Sequence, residues 1–378
     1  MSDIEVSVVL PCLNEEDSVG ICVKKIRDTF SRLGVNGEVI VVDNGSVDAS
    51  VSVARAAGAR VIYESVRGYG SALRRGIEEA KGRYIIMGDA DDSYDFNEIP
   101  AFIEKLRAGY ELVMGSRFKG RMLPGAMTWS HRYIGNPILS GMLRIFFGGG
   151  VSDAHCGLRA FSSEAYKKMW LHTTGMEFAS EMVINALKKK MRIAEIPITY
   201  HPRKGESKLS SVRDAWRHIR FMLLYSPNYL FLVPGGLVFI VGFLVTLRFL
   251  FGPIWFAGRN WDIHVMVFSS ILSLVGWQIF TTGFSAKIYA HQIGLEESRF
   301  TGKMLAIFTI ERALALGGIF VFAGAGSVIY IFYVWARSGF GELSQVKTAL
   351  FALLLIAIGL QTVFASFLSG IIQVKYKR

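Results

Sequence analysis

Four carboxylates, Asp89, Asp91, Asp92 and Asp95, arrive within seven residues in the stretch "YIIMGDADDSYDF", directly after the apolar run Tyr84–Met87. Unpaired, they would repel one another, so the cluster calls for a bound cation, a cationic partner or solvation on a loop. Asp89 and Asp91 have the Asp-x-Asp spacing. After a strand, that spacing suits a hard divalent ion held through oxygens: Mg2+ or Mn2+ would take one or two carboxylates, a diphosphate and waters. Such an ion neutralises the carboxylates and a departing diphosphate together. A lone Asp-x-Asp is otherwise a solvated turn. Here it stands in a basic chain, with 42 Lys and Arg against 31 Asp and Glu and a net charge of +11. That excess points to an anionic partner: nucleic acid, an anionic membrane surface or phosphorylated small molecules. An apolar content of 51% is too high for an ordinary nucleic-acid binder. Cys12, Cys22 and Cys156 show no disulfide framework and no metal-ligand spacing, which fits a reduced, cytosol-facing domain. The opening "MSDIEVSVVLPCLNEE" lacks a basic n-region, so no signal peptide is expected.

The elements that must carry these carboxylates alternate between strand and helix. Ile4–Pro11 reads as a strand and is followed by a helix with apolar Val19, Val23, Ile26 and Phe30. "EVIVVDNGS" is a second strand, ahead of a helix over Asp48–Ala57 that Gly58 stops. "ARVIYES" is a third strand, a helix spans Gly70–Lys81, and Tyr84–Met87 is the fourth strand. This alternation predicts an α/β fold with right-handed crossovers and a mainly parallel, Rossmann-like sheet. Ligands of such sheets bind at the carboxyl ends of the strands. Three polar groups fall there: "LNEE", "DNGS" and "GDADD". No G-x-G-x-x-G opens the first helix, and "RGYGSALRRG" lacks the G-K-[ST] ending of a P-loop. Gly68 and Gly70 in that stretch would let a helix start close to the sheet.

From about Leu230 the chain is mostly apolar. Four spans, Leu230–Phe251, Val265–Tyr289, Ala313–Trp335 and Ala349–Val374, each reach the length that crosses a bilayer, about 20 residues. Basic residues crowd "RKGESKLSSVRDAWRHIR" before the first span, Lys287, Arg299, Lys303 and Arg312 around the second connection, and the tail "KYKR". The other two connections carry Arg259, with Arg248 near its span end, and Arg337 and Lys347. This bias places both termini in the cytoplasm. The span interiors hold few charges, which argues against an ion pump.

In order along the chain, "VVLPCLNEE", "VVDNGSVDAS", "RGYGSALRRG", "GDADDSYD" and "GSRF" resemble the inverting family 2 glycosyltransferases of GT-A fold. Among these, the chain looks like the polyprenyl-phosphate (dolichol-phosphate) mannosyl- and glucosyltransferases. "DAHCGLRAF", "EFASEMV" and "RKGESKLS" extend the match, which covers about Val6 to Leu209. The four spans resemble, more loosely, the membrane anchors of some members. Two positions depart from the pattern: Asn44, where the family usually has a second Asp, and Ser93, where dolichyl-phosphate mannosyltransferases often have Gln. The first bears on base recognition, the second on the metal's outer ligands.

The resemblance implies roles for named residues. Pro11, Asn14, Glu15, Asp43, Arg67 and Gly68 fall in nucleotide-binding positions. Asp43 would accept from a base N–H, or else cap its turn. Asp89 would touch the ribose or a metal-bound water, and Asp91 would ligate Mg2+ or Mn2+. Asp92 and Asp95 are solvated or cap the next helix. Arg117 would reach a phosphate of donor or acceptor. Arg132 lies on "WSHRYIGNPILSGMLRIFF", whose Trp129, Tyr133, Leu139, Leu143 and Phe147 form an apolar face suited to an interfacial helix or to core packing. Arg203, Lys204, Ser207 and Lys208, at or just before the start of a second such helix, would cradle a lipid phosphate, where Arg gives bidentate contacts. An acceptor phosphate is already ionised, so His131, His155 and His201 are not needed as bases.

The expected organisation is a cytoplasmic GT-A catalytic domain over 1–208, an interfacial helix and linker over 209–229, and a four-helix transmembrane domain over 230–378. The expected reaction moves one hexose, with inversion, from GDP-mannose or UDP-glucose to polyprenyl phosphate at the cytoplasmic face of the cell (inner) membrane. The partners are then the nucleotide sugar, the polyprenyl phosphate and the bilayer, with no nucleic acid; a homo-oligomer is left open. Two alternatives stand beside it. A processive polysaccharide synthase would carry Gln-x-x-Arg-Trp near the membrane, and no such motif occurs. A non-catalytic lipid-carrier or sugar-binding partner of a flippase would have lost the metal site, yet Asp89 and Asp91 are present.

Overall fold

The computed structural model describes residues 4–204, 211–292 and 308–373. Backbone contacts divide the chain into two compact units, Met1–Met222 and Leu223–Arg378.

In the first unit, continuous apolar runs buried on both faces make the central strands, as a parallel sheet requires. β1 (Val6–Cys12) pairs in parallel with β2 (Gly37–Asp43) and with β4 (Tyr84–Met87), and β2 pairs with β3 (Arg60–Tyr63). β5 (Leu112–Met122), β6 (Arg159–Ser162) and β7 (Ile193–Tyr200) complete seven strands in the order β3-β2-β1-β4-β6-β5-β7. β6 runs antiparallel to both β4 and β5, whereas β5 and β7 are parallel. The expected mainly parallel α/β sheet is therefore present, with one reversed strand inserted beside β4.

Helices follow from the apolar spacing. α1 (Val19–Leu33) buries Val19, Cys22, Val23, Ile26 and Phe30 on one stripe against the sheet and ends at Gly34, whose φ of +61° suits a left-handed cap. Each such fully buried aliphatic side chain contributes roughly 1.5–3 kcal/mol. α2 (Ser50–Ala56) and α3 (Tyr69–Glu79) connect β2, β3 and β4, and α4 (Ile99–Arg107) precedes β5. α5 (Asn136–Phe147), α6 (Ser163–Met169), α7 (Phe178–Lys188) and α8 (Ser211–Leu224) follow.

The stretch around α5 is two-faced. Leu139 and Leu143 are buried, whereas Trp129, Tyr133, Ile134, Ile138 and Ile145 are exposed. The apolar face expected from the sequence thus splits into an inward pair and a separate outward set.

The second unit contains four helices long and apolar enough to cross a membrane: Asn228–Leu250, Ile263–Gln292, Ile310–Arg337 and Val346–Gln373. Within the first, α9 covers Val233–Leu250; the others are α10, α11 and α12 in order. α9 and α10 approach closely through small residues: a Cβ on Gly276 would lie 2.2 Å from the Phe239 nitrogen. Thr246 Oγ1 and Ser269 Oγ hydrogen-bond across the same pair at 2.8 Å. Lys287 is not in a loop: it lies inside α10, 2% exposed, and its Nζ donates to Asn228 Oδ1 at 2.6 Å. Between α9 and α10 a short hairpin, β8 (Ile254–Phe256) and β9 (Arg259–Trp261), stands where the sequence showed only a loop.

Candidate active site

Three strand ends build the site. After β1, Asn14 takes a positive φ of 51°. Its backbone N donates to Ser46 Oγ at 2.9 Å, and its Oδ1 accepts from Val47 N at 2.8 Å. Glu15 N donates to Ser50 Oγ at 2.7 Å, so the first and second strand-end turns are laced together. Pro11, still within β1, pairs in register with Val42.

After β2, Asp43 is buried and accepts from Gly45 N and Ser46 N, each at 3.2 Å. The carboxylate therefore caps its own turn. Asn44 explains its own departure from the family pattern. Its Nδ2 donates to Glu64 O and Val66 O, both at 2.9 Å, while its Oδ1 accepts from Gly68 N at 2.8 Å. An aspartate has no N–H to donate, so only an amide makes this three-way staple between the ends of β2 and β3. Gly68, with φ +148°, allows the chain to pass under Thr174, where a Cβ would come within 2.2 Å of the carbonyl oxygen. Arg67 is exposed, with its guanidinium packed over Gly45.

After β4 come the acids. Asp89 Oδ1 accepts from Tyr69 Oη at 2.9 Å. Burial, and then the charge of Asp91, push its pKa up to about 6, against the opposing pull of Tyr69, Arg117 and Arg203. Asp91 is held by Ser93, whose backbone N and Oγ donate to Oδ1 at 3.1 and 2.5 Å. Ser93 thus orients the carboxylate it follows. Asp92, at φ +60°, is paired with Lys25 at 2.6 Å and Lys204 at 3.0 Å. Burial works to raise its pKa, but the two lysines prevail and hold it below the usual range. Asp95 caps the next turn by accepting from Asn97 N at 3.0 Å. One of the four carboxylates is therefore neutralised by lysines and one is a cap, which leaves Asp89 and Asp91 for chemistry.

Cations face that pair. Arg203 Nη2 lies 3.2 Å from Glu15 Oε1 and its Nε 3.7 Å from Asp91 Oδ2. That Nε is buried without a hydrogen-bond partner. The chain reaches this point because His201 N donates to Ser93 O at 2.9 Å and Lys204 N to Asp91 O at 3.0 Å. Arg117, on β5, is 7% exposed and is clamped bidentate by fully buried Asp153 at 2.7 and 2.8 Å. Its guanidinium also lies 5.2 Å from the Tyr200 ring centroid. Arg132 stands apart: it is exposed, lies 5.3 Å from the Tyr133 ring, and makes no ion pair among the described residues. Ser207 and Lys208 lie outside the described residues, as do Arg299, Lys303 and the "KYKR" tail.

The donor set fits a hard divalent cation. Asp89 and Asp91 offer only oxygens, and the Arg203 guanidinium beside Asp91 shows that the place attracts positive charge. Among the described residues no group of three or more His, Cys, Asp and Glu could hold a metal alone. Mg2+ or Mn2+ would accordingly rely on one or two carboxylates, substrate phosphate oxygens and water, which is usual for these ions.

Sequence reasoning passed over two supports. Arg159, fully buried, donates to the carbonyls of Cys156, Ala179 and Ala154 at 2.8, 2.6 and 2.8 Å. Glu181, also fully buried, accepts from His172 N, Thr173 N and Thr173 Oγ1, fixing the loop that covers Gly68. Both lie in the quoted stretches "DAHCGLRAF" and "EFASEMV", but a charged residue inside an apolar run gives no hint that its partners are carbonyls or amides.

Comparison with known proteins agrees with this architecture. Residues 7–170 match the family described as glycosyl transferase family 2, and residues 284–373 match the family 2 C-terminal transmembrane region. The chain is 39% identical over 365 residues to the low-salt glycan biosynthesis hexosyltransferase Agl6 of Haloferax volcanii, covering 96% of this chain and 88% of that one. It is 32% identical to a dolichyl-phosphate hexose transferase of the same organism, over 54% of this chain and 86% of that one. It is 30% identical to an undecaprenyl-phosphate 4-deoxy-4-formamido-L-arabinose transferase of Edwardsiella ictaluri, over 71% and 86%. A relative matched almost from end to end, an Asp-x-Asp at the edge of a GT-A sheet and four apolar helices make this chain a member of glycosyltransferase family 2, a membrane glycosyltransferase.

Proposed function

We propose that this enzyme transfers a single hexose from a nucleotide sugar, GDP-mannose or UDP-glucose, to a polyprenyl phosphate, with inversion, at the cytoplasmic face of the cell membrane. The observation that carries the reading is the pairing of two carboxylates with two arginines at one sheet edge: Asp89 and Asp91 beside Arg203, with Arg117 locked by Asp153. Carboxylates suit the cation of a diphosphate donor, and arginines suit a phosphate acceptor. The named substrates of the Haloferax and Edwardsiella relatives, dolichyl and undecaprenyl phosphates, favour the same acceptor class.

In this reading the turns after β1 and β2 receive the nucleotide, with Pro11, Asn14, Glu15, Asp43, Arg67 and Gly68 around it. Asp91, oriented by Ser93, and Asp89, oriented by Tyr69, would hold Mg2+ or Mn2+. When bound, the ion supplies charge neutralisation of the departing diphosphate. The acceptor phosphate is already an oxyanion, so the chain's work is alignment rather than proton removal. Arg203, released from Glu15 and Asp91, and Arg117 turn that oxyanion toward the anomeric carbon. Ser207 and Lys208 extend the cationic run, and Arg132 meets the phosphate from the exposed aromatic stretch Trp129–Ile145. That stretch and α8 lie at headgroup level, the 209–229 segment links the 1–208 catalytic domain to the 230–378 anchor, and both termini face the cytoplasm.

Membranes containing the enzyme, incubated with labelled nucleotide sugars and undecaprenyl phosphate, test the proposal. A single lipid-linked hexose, formed only with Mg2+ or Mn2+, is the expected product. A growing polysaccharide, or no lipid-linked sugar from any donor, would overturn it.

A further inference from the structure

Two histidines, His218 buried and His155 partly buried, stand 63 positions apart in the chain and meet through one hydroxyl. Ser180 Oγ lies 3.2 Å from His155 Nε2 and 2.8 Å from His218 Nδ1, and the two rings pack edge to face with centroids 4.5 Å apart. Ser180 is fully buried and His218 is 6% exposed. A hydroxyl has one proton to give and lone pairs to receive, so it can hydrogen-bond both rings at once, the tautomer of each ring setting the direction. The transfer chemistry uses none of the three.

What they connect is informative. His155 sits midway along the loop 153–157, which fixes two groups of the candidate active site. At one end Asp153 accepts from the backbone N of Arg117 at 3.1 Å and clamps its guanidinium. At the other end Gly157 N donates to Tyr94 Oη at 2.8 Å, and a Cβ on Gly157 would lie 2.9 Å from Asp89 Oδ2. His218 sits on the inner face of α8, beside buried Phe221 and Met222, whereas Trp216 and Leu224 face outward. α8 ends at Leu224, four residues before the first membrane helix starts at Asn228.

We infer that His218, Ser180 and His155 form a hydrogen-bonded strut that fixes the 153–157 loop, and with it Arg117 and Asp89, to the helix that leads into the membrane. The three are positioning residues: seating of α8 sets the alignment of the arginine and the carboxylate. The transfer arm of the test rests on the function proposed above; the hydrogen-exchange arm does not.

The test uses the full chain in lipid nanodiscs. Ser180→Ala removes one oxygen with little change of volume, and His218→Phe keeps a ring without the hydrogen bond. Both should raise amide exchange at Arg117 and Gly157 at least about fivefold while leaving β1 and β2 unchanged, because local opening follows local contacts. Both should lower kcat roughly tenfold with nucleotide affinity held within about twofold, since misplacement by about an ångström costs alignment rather than donor binding. Their double variant should lose no more than either single one. Rescue discriminates further: His218→Asn, which offers an amide where Nδ1 stood, and His155→Gln, which offers one where Nε2 stood, should recover most of kcat, whereas His218→Gln and His155→Asn should not.

Unchanged exchange at Arg117 and Gly157 in folded Ser180→Ala and His218→Phe overturns the strut. So does a loss of kcat that merely tracks the folded fraction, or losses that add in the double variant. If the native enzyme transfers no sugar to prenyl phosphate, the functional reading fails, while the exchange data still decide the strut.

Discussion

At the scale of single residues, the site is a balance of buried charges, and each charge predicts its own failure. We predict that Asp91→Ala lowers transfer by roughly 100-fold or more while the protein still folds and inserts, because diphosphate charge is then left uncompensated in the transition state. Turnover near the native rate in that variant, with metal stripped by EDTA, would count against the assignment. Asp89 gives a pH dependence. Its pKa of about 6 lies above the usual carboxylate value, so the folded chain holds this proton to higher pH than the unfolded one. Its contribution to stability is thus present below the unfolded value and lost as pH rises through about 6. Metal binding requires the anion, so Mn2+ affinity, measured by paramagnetic resonance, should fall by up to about tenfold per pH unit below 6. A flat profile between pH 5 and 7 would show that Asp89 does not bear on the ion. Asp153→Ala leaves Arg117 buried without its partner and should cost about 3–5 kcal/mol in denaturant unfolding.

Between elements, what matters is how strand ends are tied to one another. Asn44 staples β2 to the Gly68 turn, Ser46 and Ser50 hold the turn after β1, and the chain following β7 pairs with 91–93. That last pairing puts Arg203 within reach of Asp91, although 112 residues separate them in sequence. Arg203→Ala should therefore raise the apparent KM for the prenyl phosphate more than that for the nucleotide sugar. A loss confined to the donor would reassign Arg203 to the diphosphate. The same element-level view applies to His155. Burial first, then His218, Arg159 and Arg117, hold its pKa below 6.5. The unfolded chain takes up a proton there that the folded chain refuses, so stability is kept above pH 6.5 and drains as pH falls below it.

For the whole molecule, the division of labour is the question. The Asp-x-Asp and the other polar strand-end motifs all precede the apolar half, and the spans carry few ionisable groups, so we predict that the helices anchor the enzyme without supplying chemistry. A chain ending near Tyr225 should keep metal-dependent nucleotide binding and some transfer to a short, detergent-soluble prenyl phosphate. It should lose efficiency chiefly on long lipids in membranes. If it folds and binds nucleotide yet transfers to no acceptor, the helices contribute to the acceptor site directly. Lys287, buried in α10 against Asn228, is the residue to examine first in that event.

The order of the first four strands and the helices between them, the four long apolar helices and the Asp-x-Asp were legible in the sequence, because each is a local pattern: period, run length or spacing. Tyr84–Met87 is the clearest case, an apolar run that became β4 with the same bounds. Asp92, expected to be solvated or a cap, is instead buried and ion-paired, and this was not legible because the lysines that neutralise it come from α1 and from the chain after β7. The same holds for Arg117, whose partner Asp153 is 36 residues away, and for Lys287, which reads as a loop cation and lies buried in a helix. The reversed strand β6 was hidden for a related reason. Strand direction depends on which neighbours a segment meets, and a short apolar run such as "RAFS" carries the same pattern whichever way it lies. Sequence sets what each segment can become; pairing across the sheet decides which charges meet, because burial and distance, not spacing along the chain, govern electrostatics.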